Sequence, residues 1–253
     1  EVSHASAVMV MAKTDAARRA AELGMDPEDP ALLQRVSRGG ELRNKPGSQF
    51  SSPMGHGTGW FHTQYGEFEE RQGAGAYYEW AMGKRDEVEQ RFGGDARVDG
   101  ARGHANLFPN FMFLTNGTMR VTHPRGPNEM EIWAWVFVPA AAPQEVKDQI
   151  RLRVTRTFSA AGMFEQDDAE NWMEEQRIYR GYIARQDPIN VQMHLGGARF
   201  DVDGFPGKTA PHCYADEGIR GLYRHYLDMM SGASWSDLLQ IKKEREESER
   251  GGA

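Results

Sequence analysis

Residues 129–138, with the sequence EMEIWAWVFV, carry the clearest strand signal in the chain. Aromatic and β-branched side chains such as Ile132, Trp133 and Val136 favour the pleated, half-buried surface of a sheet. The later half of the segment is apolar at successive positions, which is typical of strands that are covered on both faces. We therefore predict that this strand lies centrally in a sheet.

Upstream of this segment, residues 105–114 and 118–122 each predict a strand. The dipeptide Asn116-Gly117 between them is typical of the tight turn of a β-hairpin, because it tolerates the positive φ angles that such turns require. Residues 39–59 are rich in Gly, Ser and Pro, and we predict a long irregular loop there. The central part of the chain is thus predicted to form antiparallel strands.

Helical patterns flank these strands on both sides, and Pro occurs only near their starts, where a helix accepts it. No linker divides the chain, so we predict one domain over residues 1–253. Its predicted class is α+β: an antiparallel sheet flanked by long helices, in a helix-grip-like arrangement. The predicted helices are 13–23, 29–36, 84–92, 143–158, 164–182, 217–230 and 236–249.

Composition and charge exclude several classes of function. Of the 253 residues, 39% are hydrophobic and 26% are charged, which is typical of a globular domain. The net charge of −7 argues against a general affinity for nucleic acid, and no apolar run is long enough to span a bilayer. The single cysteine, Cys213, cannot form an internal disulfide or hold an iron–sulfur cluster alone. Such sparse cysteine usage indicates the cytoplasm.

One carboxylate falls on an apolar helical stripe. On a helix, Phe164, Asp168 and Trp172 are spaced four residues apart and share one face. A carboxylate in an apolar setting is costly unless it is paired or binds a metal. Asp168 is therefore either the partner of an arginine such as Arg177 or Arg180, or a metal ligand.

Several longer motifs follow one another along the chain: GHG at 55–57, HPRGPNE at 123–129, RTF at 156–158, AGMFEQDD at 161–168, ENW at 170–172 and FPGKT at 205–209. In this order they resemble the large subunits of Rieske-type aromatic-ring-hydroxylating dioxygenases, a family that includes biphenyl and naphthalene dioxygenases. The resemblance extends from about His4 to Trp235, which is nearly the whole chain.

The resemblance implies a mononuclear Fe(II) held by two His and one Asp, a triad that leaves adjacent positions open. Asp168, the second residue of the Asp-Asp pair, matches the family's aspartate ligand. His4, followed by Ala-Ser, resembles the second of the two histidine ligands. The first histidine would fall before Glu1, as would the Rieske domain with its [2Fe-2S] cluster, so we expect both to be missing from this chain.

The resemblance also implies an arene pocket. Phe158, Phe164 and Leu114 match substrate-contact positions of the family, and His104 matches a pocket-lining position. An apolar cavity beside iron suits a flat hydrophobic ring held by dispersion and ring–ring contacts. The alternative is that these side chains are ordinary core residues.

The function implied by the resemblance is that of an oxygenase component. Both atoms of O2 enter an aromatic hydrocarbon to give a cis-dihydrodiol, with electrons from NADH passed through a ferredoxin or reductase and the Rieske cluster. The implied protein partners are other alpha subunits, in a trimer, and small beta subunits. The alternatives are an apolar-ligand-binding module and an inactive fragment of the same fold.

Overall fold

A seven-stranded antiparallel sheet organises the computed structural model, which describes residues 24, 26, 47–62, 75–92, 101–115, 117–202 and 207–251. Within these residues the strand order is β6-β5-β4-β3-β2-β1-β7. The strands are β1 (Gly47–Ser51), β2 (Gly57–His62), β3 (Ala101–Leu107), β4 (Phe111–Leu114), β5 (Thr118–Gly126), β6 (Glu129–Val136) and β7 (Lys208–Ala210). The helices are α1 (Ala76–Met82), α2 (Arg85–Phe92), α3 (Gln144–Phe158), α4 (Met163–Tyr179), α5 (Glu217–Met230) and α6 (Trp235–Gly251).

This arrangement confirms the predicted class, an antiparallel sheet flanked by long helices. Helix α3 packs through Val146 and Ile150 against Tyr77 and Trp80 of α1. Helix α4 ends at Tyr179, earlier than predicted. The predicted helices 13–23 and 29–36 lie outside the described residues. Among the helices of the described part, none is both long and apolar enough to cross a membrane.

The predicted hairpin is confirmed at its turn. Leu114 of β4 pairs with Thr118 of β5, and Gly117 between them has a φ of +100°. The prediction of one strand over 105–114 is wrong, because a turn divides that segment into β3 and β4. The turn contains Pro109, and its Asn110 side chain donates a 2.8 Å hydrogen bond to the carbonyl of Thr122.

The prediction of a loop over 39–59 is wrong in its described part, because β1 and β2 lie there within the sheet. Gly47 of β1, and Gly103 of β3 beside β2, allow close strand approach and are not signs of irregular chain. A Cβ at Gly47 would lie 2.5 Å from the carbonyl oxygen of Trp60, and one at Gly103 would lie 1.8 Å from that of Gly59. The local composition thus reflects crowding between neighbouring strands.

The prediction of a central position for residues 129–138 is also wrong. Strand β6 pairs with β5 and stands at the edge of the described sheet. Its Trp133 and Trp135 side chains are 48% and 45% exposed, and their ring centroids lie 6.2 Å apart. An apolar run indicates that both faces of a strand are apolar. It does not indicate whether a second strand is hydrogen-bonded to each edge of that strand.

Candidate active site

The strand register puts the predicted pocket residues of the sheet on one face. His104 of β3 lies opposite Leu114 of β4, which lies opposite Thr118 of β5. Cross-strand partners project from the same face, as do residues two apart along a strand. Arg120 therefore shares this face with His104 and Leu114. Helices α3 and α4 contact the same face.

Three of the four predicted pocket residues are brought together where α3 ends and α4 begins. The rings of Phe158 and Phe164 stack with centroids 5.3 Å apart and an interplanar angle of 27°. The ring of His104 meets Phe158 edge-on, with centroids 6.5 Å apart. We call His104, Phe158 and Phe164 the aromatic wall.

Exposure separates the aromatic wall from the core. Leu114 is only 4% exposed and belongs to the buried interior. Phe158 and Phe164 are half-buried, and His104 is exposed. Side chains that are partly accessible are more typical of residues that line a cavity than of residues in the buried core. Contact between these four residues and a substrate stays a prediction.

Asp168 lies on α4, one turn beyond Phe164, and is half-buried. The two arginines considered as its partners are engaged elsewhere. Arg177 forms a 2.6 Å ion pair with Glu174, and Arg180 donates a 2.8 Å hydrogen bond to the side chain of Asn128. Both alternatives for Asp168, ion-pair partner and metal ligand, stay predictions.

Asp168 fits one ligand position of a mononuclear iron site. Asp168 offers a carboxylate oxygen on a well-formed helix, beside the aromatic wall, and this fits one position of a triad of two His and one carboxylate. The predicted ligand His4 lies outside the described residues. Within the part of the chain that the structure describes, no three His, Cys, Asp or Glu side chains cluster closely enough to hold a metal ion.

A buried ion pair that was not predicted from the sequence lies beneath the aromatic wall. Arg120 of β5 pairs with Glu165 in the first turn of α4, and its guanidinium carbon lies 5.1 Å from the ring centroid of Phe158. Burial raises the pKa of Glu165, Arg120 opposes this shift, and the charge of Asp168 adds to it. The position of Glu165 could have been predicted from helical spacing. Glu165 precedes Asp168 by three residues, so both side chains lie on the same side of α4.

Comparison with known proteins identifies the family. Residues 2–232 match the family model described as the ring hydroxylating alpha subunit catalytic domain. The chain is 42% identical over 219 residues to the biphenyl dioxygenase subunit alpha of Metapseudomonas furukawaii, covering 85% of this chain and 46% of that protein. It is 46% identical over 136 residues to the benzene 1,2-dioxygenase subunit alpha of Pseudomonas putida, covering 53% and 30%. The chain belongs to the family of ring-hydroxylating alpha subunits.

Solved structures agree with this assignment. Naphthalene 1,2-dioxygenase with indole bound in its active site matches with a TM-score of 0.67 and 25% identity, covering 78% of this chain and 44% of that one. The naphthalene 1,2-dioxygenase of Rhodococcus sp., also bound to indole, matches with a TM-score of 0.61 and 26% identity, covering 87% and 50%. The chain thus spans about half the length of the relatives that it matches.

Proposed function

We propose that this chain supplies the arene site, and part of a mononuclear Fe(II) site, in the oxygenase component of a ring-hydroxylating dioxygenase. The proposed product is a cis-dihydrodiol that carries both atoms of O2. The observation that carries the proposal is the stack of Phe158 on Phe164, one helical turn from the half-buried carboxylate of Asp168. The names of the relatives, which are biphenyl and benzene dioxygenases, support it.

Asp168 and His4 are the proposed iron ligands in this chain. When bound, iron supplies the activation of O2, with electrons that come from NADH through a ferredoxin or reductase and a [2Fe-2S] Rieske cluster. Asp168 contributes an anionic oxygen ligand whose position is set by α4. Because the carboxylate is half-buried, its interaction with a cation is screened less than that of a surface charge.

The aromatic wall would hold the substrate. Phe158 and Phe164 present partly accessible ring faces, which suit the offset stacking of a flat hydrocarbon. His104 adds a ring edge from the sheet, and the buried Leu114 lies beside it as apolar floor. These contacts exclude water and orient the ring, so the position of the ring relative to Asp168 decides which of its carbons is oxidised.

The proposed assembly is a trimer of alpha subunits, with small beta subunits added. The relatives are named as alpha subunits, which supports the presence of a second kind of subunit. Exposed apolar side chains in the described part, including Trp133, Trp135 and Leu227, provide surface of the kind that such contacts bury.

The test of the proposed function is a reconstituted assay. The full-length protein is supplied with reductase, ferredoxin, NADH and 18O2, and biphenyl, benzene or naphthalene is the substrate. We expect a cis-dihydrodiol that carries two labelled oxygen atoms. Uptake of the arene with no oxidation by an iron-loaded protein would instead identify an apolar-ligand-binding module.

The aromatic wall makes a separate prediction. Phe158→Leu and Phe164→Leu are expected to change the ratio of regioisomeric products, because each enlarges the space in which the arene can turn, while iron content stays near that of the wild type. The product ratio is measured by chromatography. Stability is measured too, since truncating a half-buried ring costs on the order of 1–3 kcal/mol.

Phe113→Leu is the matched control for these two variants. Phe113 also stacks on another ring, Phe137, with centroids 5.0 Å apart, but it projects from the opposite face of the sheet. It should lose comparable stability and keep the wild-type product ratio. If all three variants fold and give the product ratio of the wild type, Phe158 and Phe164 are core residues.

A further inference from the structure

Arg120 connects three elements from a single buried position. It lies within β5, with Met112 of β4 on one side and Ala134 of β6 on the other, and it is 3% exposed. Its guanidinium pairs with Glu165 at the start of α4 and lies against the ring of Phe158, the last residue of α3. One side chain thus fixes the sheet to the end of one helix and the start of the next.

The place where these helices meet is tightly built. A Cβ at Gly162 would lie 2.4 Å from the backbone of Thr157, so α3 and α4 approach closely there. Glu165 is in the first turn of α4, and Asp168 follows one turn later on the same side. Any rotation of this turn moves Asp168. The contact of Arg120 with Glu165 therefore sets the direction in which Asp168 points. Its contact with Phe158 sets the orientation of that ring in the aromatic wall.

Stability alone gives a weak reason for such a pair. Removing two charges from water is costly, and well-packed apolar side chains in their place are often neutral or stabilising. Glu165 is only 9% exposed, and this burial raises the pKa of its carboxyl group. Arginine has a property that apolar replacements and lysine lack: a flat, rigid guanidinium that can pair with a carboxylate and lie on an aromatic face at once.

We propose that Arg120 is a positioning residue for the aromatic wall and for Asp168, and this proposal rests on the proposed function. Its guanidinium holds the ring of Phe158 and, through Glu165, the turn of α4 that bears Asp168. The arene and the metal ligand thereby keep a fixed relative placement, which determines the site of oxidation on the ring. Arg120 touches neither substrate nor metal in this role.

The experiment uses the full-length protein and three variants. Arg120→Lys keeps the charge for Glu165 but loses the flat contact with Phe158. The double variant Arg120→Met with Glu165→Met removes both charges and keeps apolar volume. Arg153→Met is the matched control, because the guanidinium carbon of Arg153 on α3 lies 5.2 Å from the ring centroid of Tyr77, which is not part of the aromatic wall. The readouts are thermal midpoint, iron per site, affinity for biphenyl by equilibrium titration and product ratio.

We expect Arg120→Lys to keep iron and to change the biphenyl affinity or the product ratio by roughly fivefold, the size expected when a cation–π contact is lost. The double variant should show the same change and also a lower iron content, with a thermal midpoint close to that of the wild type. Arg153→Met should change neither the product ratio nor the iron content.

The proposal is overturned if Arg120→Lys and the double variant both match the wild type in biphenyl affinity, product ratio and iron. If the double variant does not fold, Arg120→Lys decides the matter through the same readouts. A wild-type protein that makes no dihydrodiol would contradict the proposed function and not the proposed role of Arg120. In that case the role of Arg120 is judged by biphenyl affinity and iron content, which need no turnover.

Discussion

Asp168→Ala leaves the full-length protein with little iron and no measurable ring oxidation, if Asp168 is the carboxylate ligand proposed here. The substitution removes one of three protein ligands. The loss in iron affinity should therefore exceed the roughly 10–100-fold that follows the loss of a residue that only orients a ligand. Iron per protein is measured by metal analysis, and dihydrodiol by chromatography.

Asp167→Ala is the matched control for this variant, because it removes the same group at the neighbouring position and on a different side of α4. It should keep most of the iron. Equal iron in the wild type and in Asp168→Ala would remove Asp168 from the ligand set.

Gly103→Ala is expected to destabilise the protein by about 3 kcal/mol or more, at the upper end of the cost of overpacking. The added Cβ would lie 1.8 Å from the carbonyl oxygen of Gly59 and 2.8 Å from the Cα of Trp60. Both atoms are backbone, so no side chain can rotate away. Relief requires β2 and β3 to separate, which would break their hydrogen-bonded register. Thermal unfolding measures the effect.

Gly83→Ala provides the comparison. Gly83 caps α1 with a helical φ of −66°, and a Cβ there would lie 3.4 Å from the nearest atom, the carbonyl oxygen of Glu79. Its effect should stay within about 1 kcal/mol, and it can be stabilising because Ala restricts the unfolded chain. If Gly103→Ala were no worse than Gly83→Ala, β2 and β3 could not be neighbours in the way described here.

Much of the fold was available from local sequence. The helices α3 and α5 match the predicted segments 143–158 and 217–230 to within one residue, because a helix satisfies its hydrogen bonds within one segment. The hairpin at Gly117 followed from turn chemistry alone. The face of α4 that carries Phe164 and Asp168 followed from helical spacing, and the long motifs led to the family that comparison confirmed.

Other features depended on which segments lie side by side. Gly47 of β1 resembles a loop glycine until the neighbouring strand β2 shows why a Cβ cannot be present there, since it would lie 2.5 Å from the carbonyl oxygen of Trp60. The edge position of β6 likewise depends on whether a further strand lies beside Trp133 and Trp135, and a strand's own sequence carries no record of that.

The sequence by itself determined the helices α3 and α5, the hairpin turn, the family and the candidate carboxylate Asp168, because each depends on residues close together in the chain or on long ordered motifs. Helix α1 was not predicted from the sequence. Only the tertiary structure decided that Arg120 and Glu165 form a buried pair under Phe158. The two residues lie on different elements, and neither carries a local signal for the other. Their pairing is set by how α4 packs on the sheet, which is the sum of many contacts distributed over the whole domain.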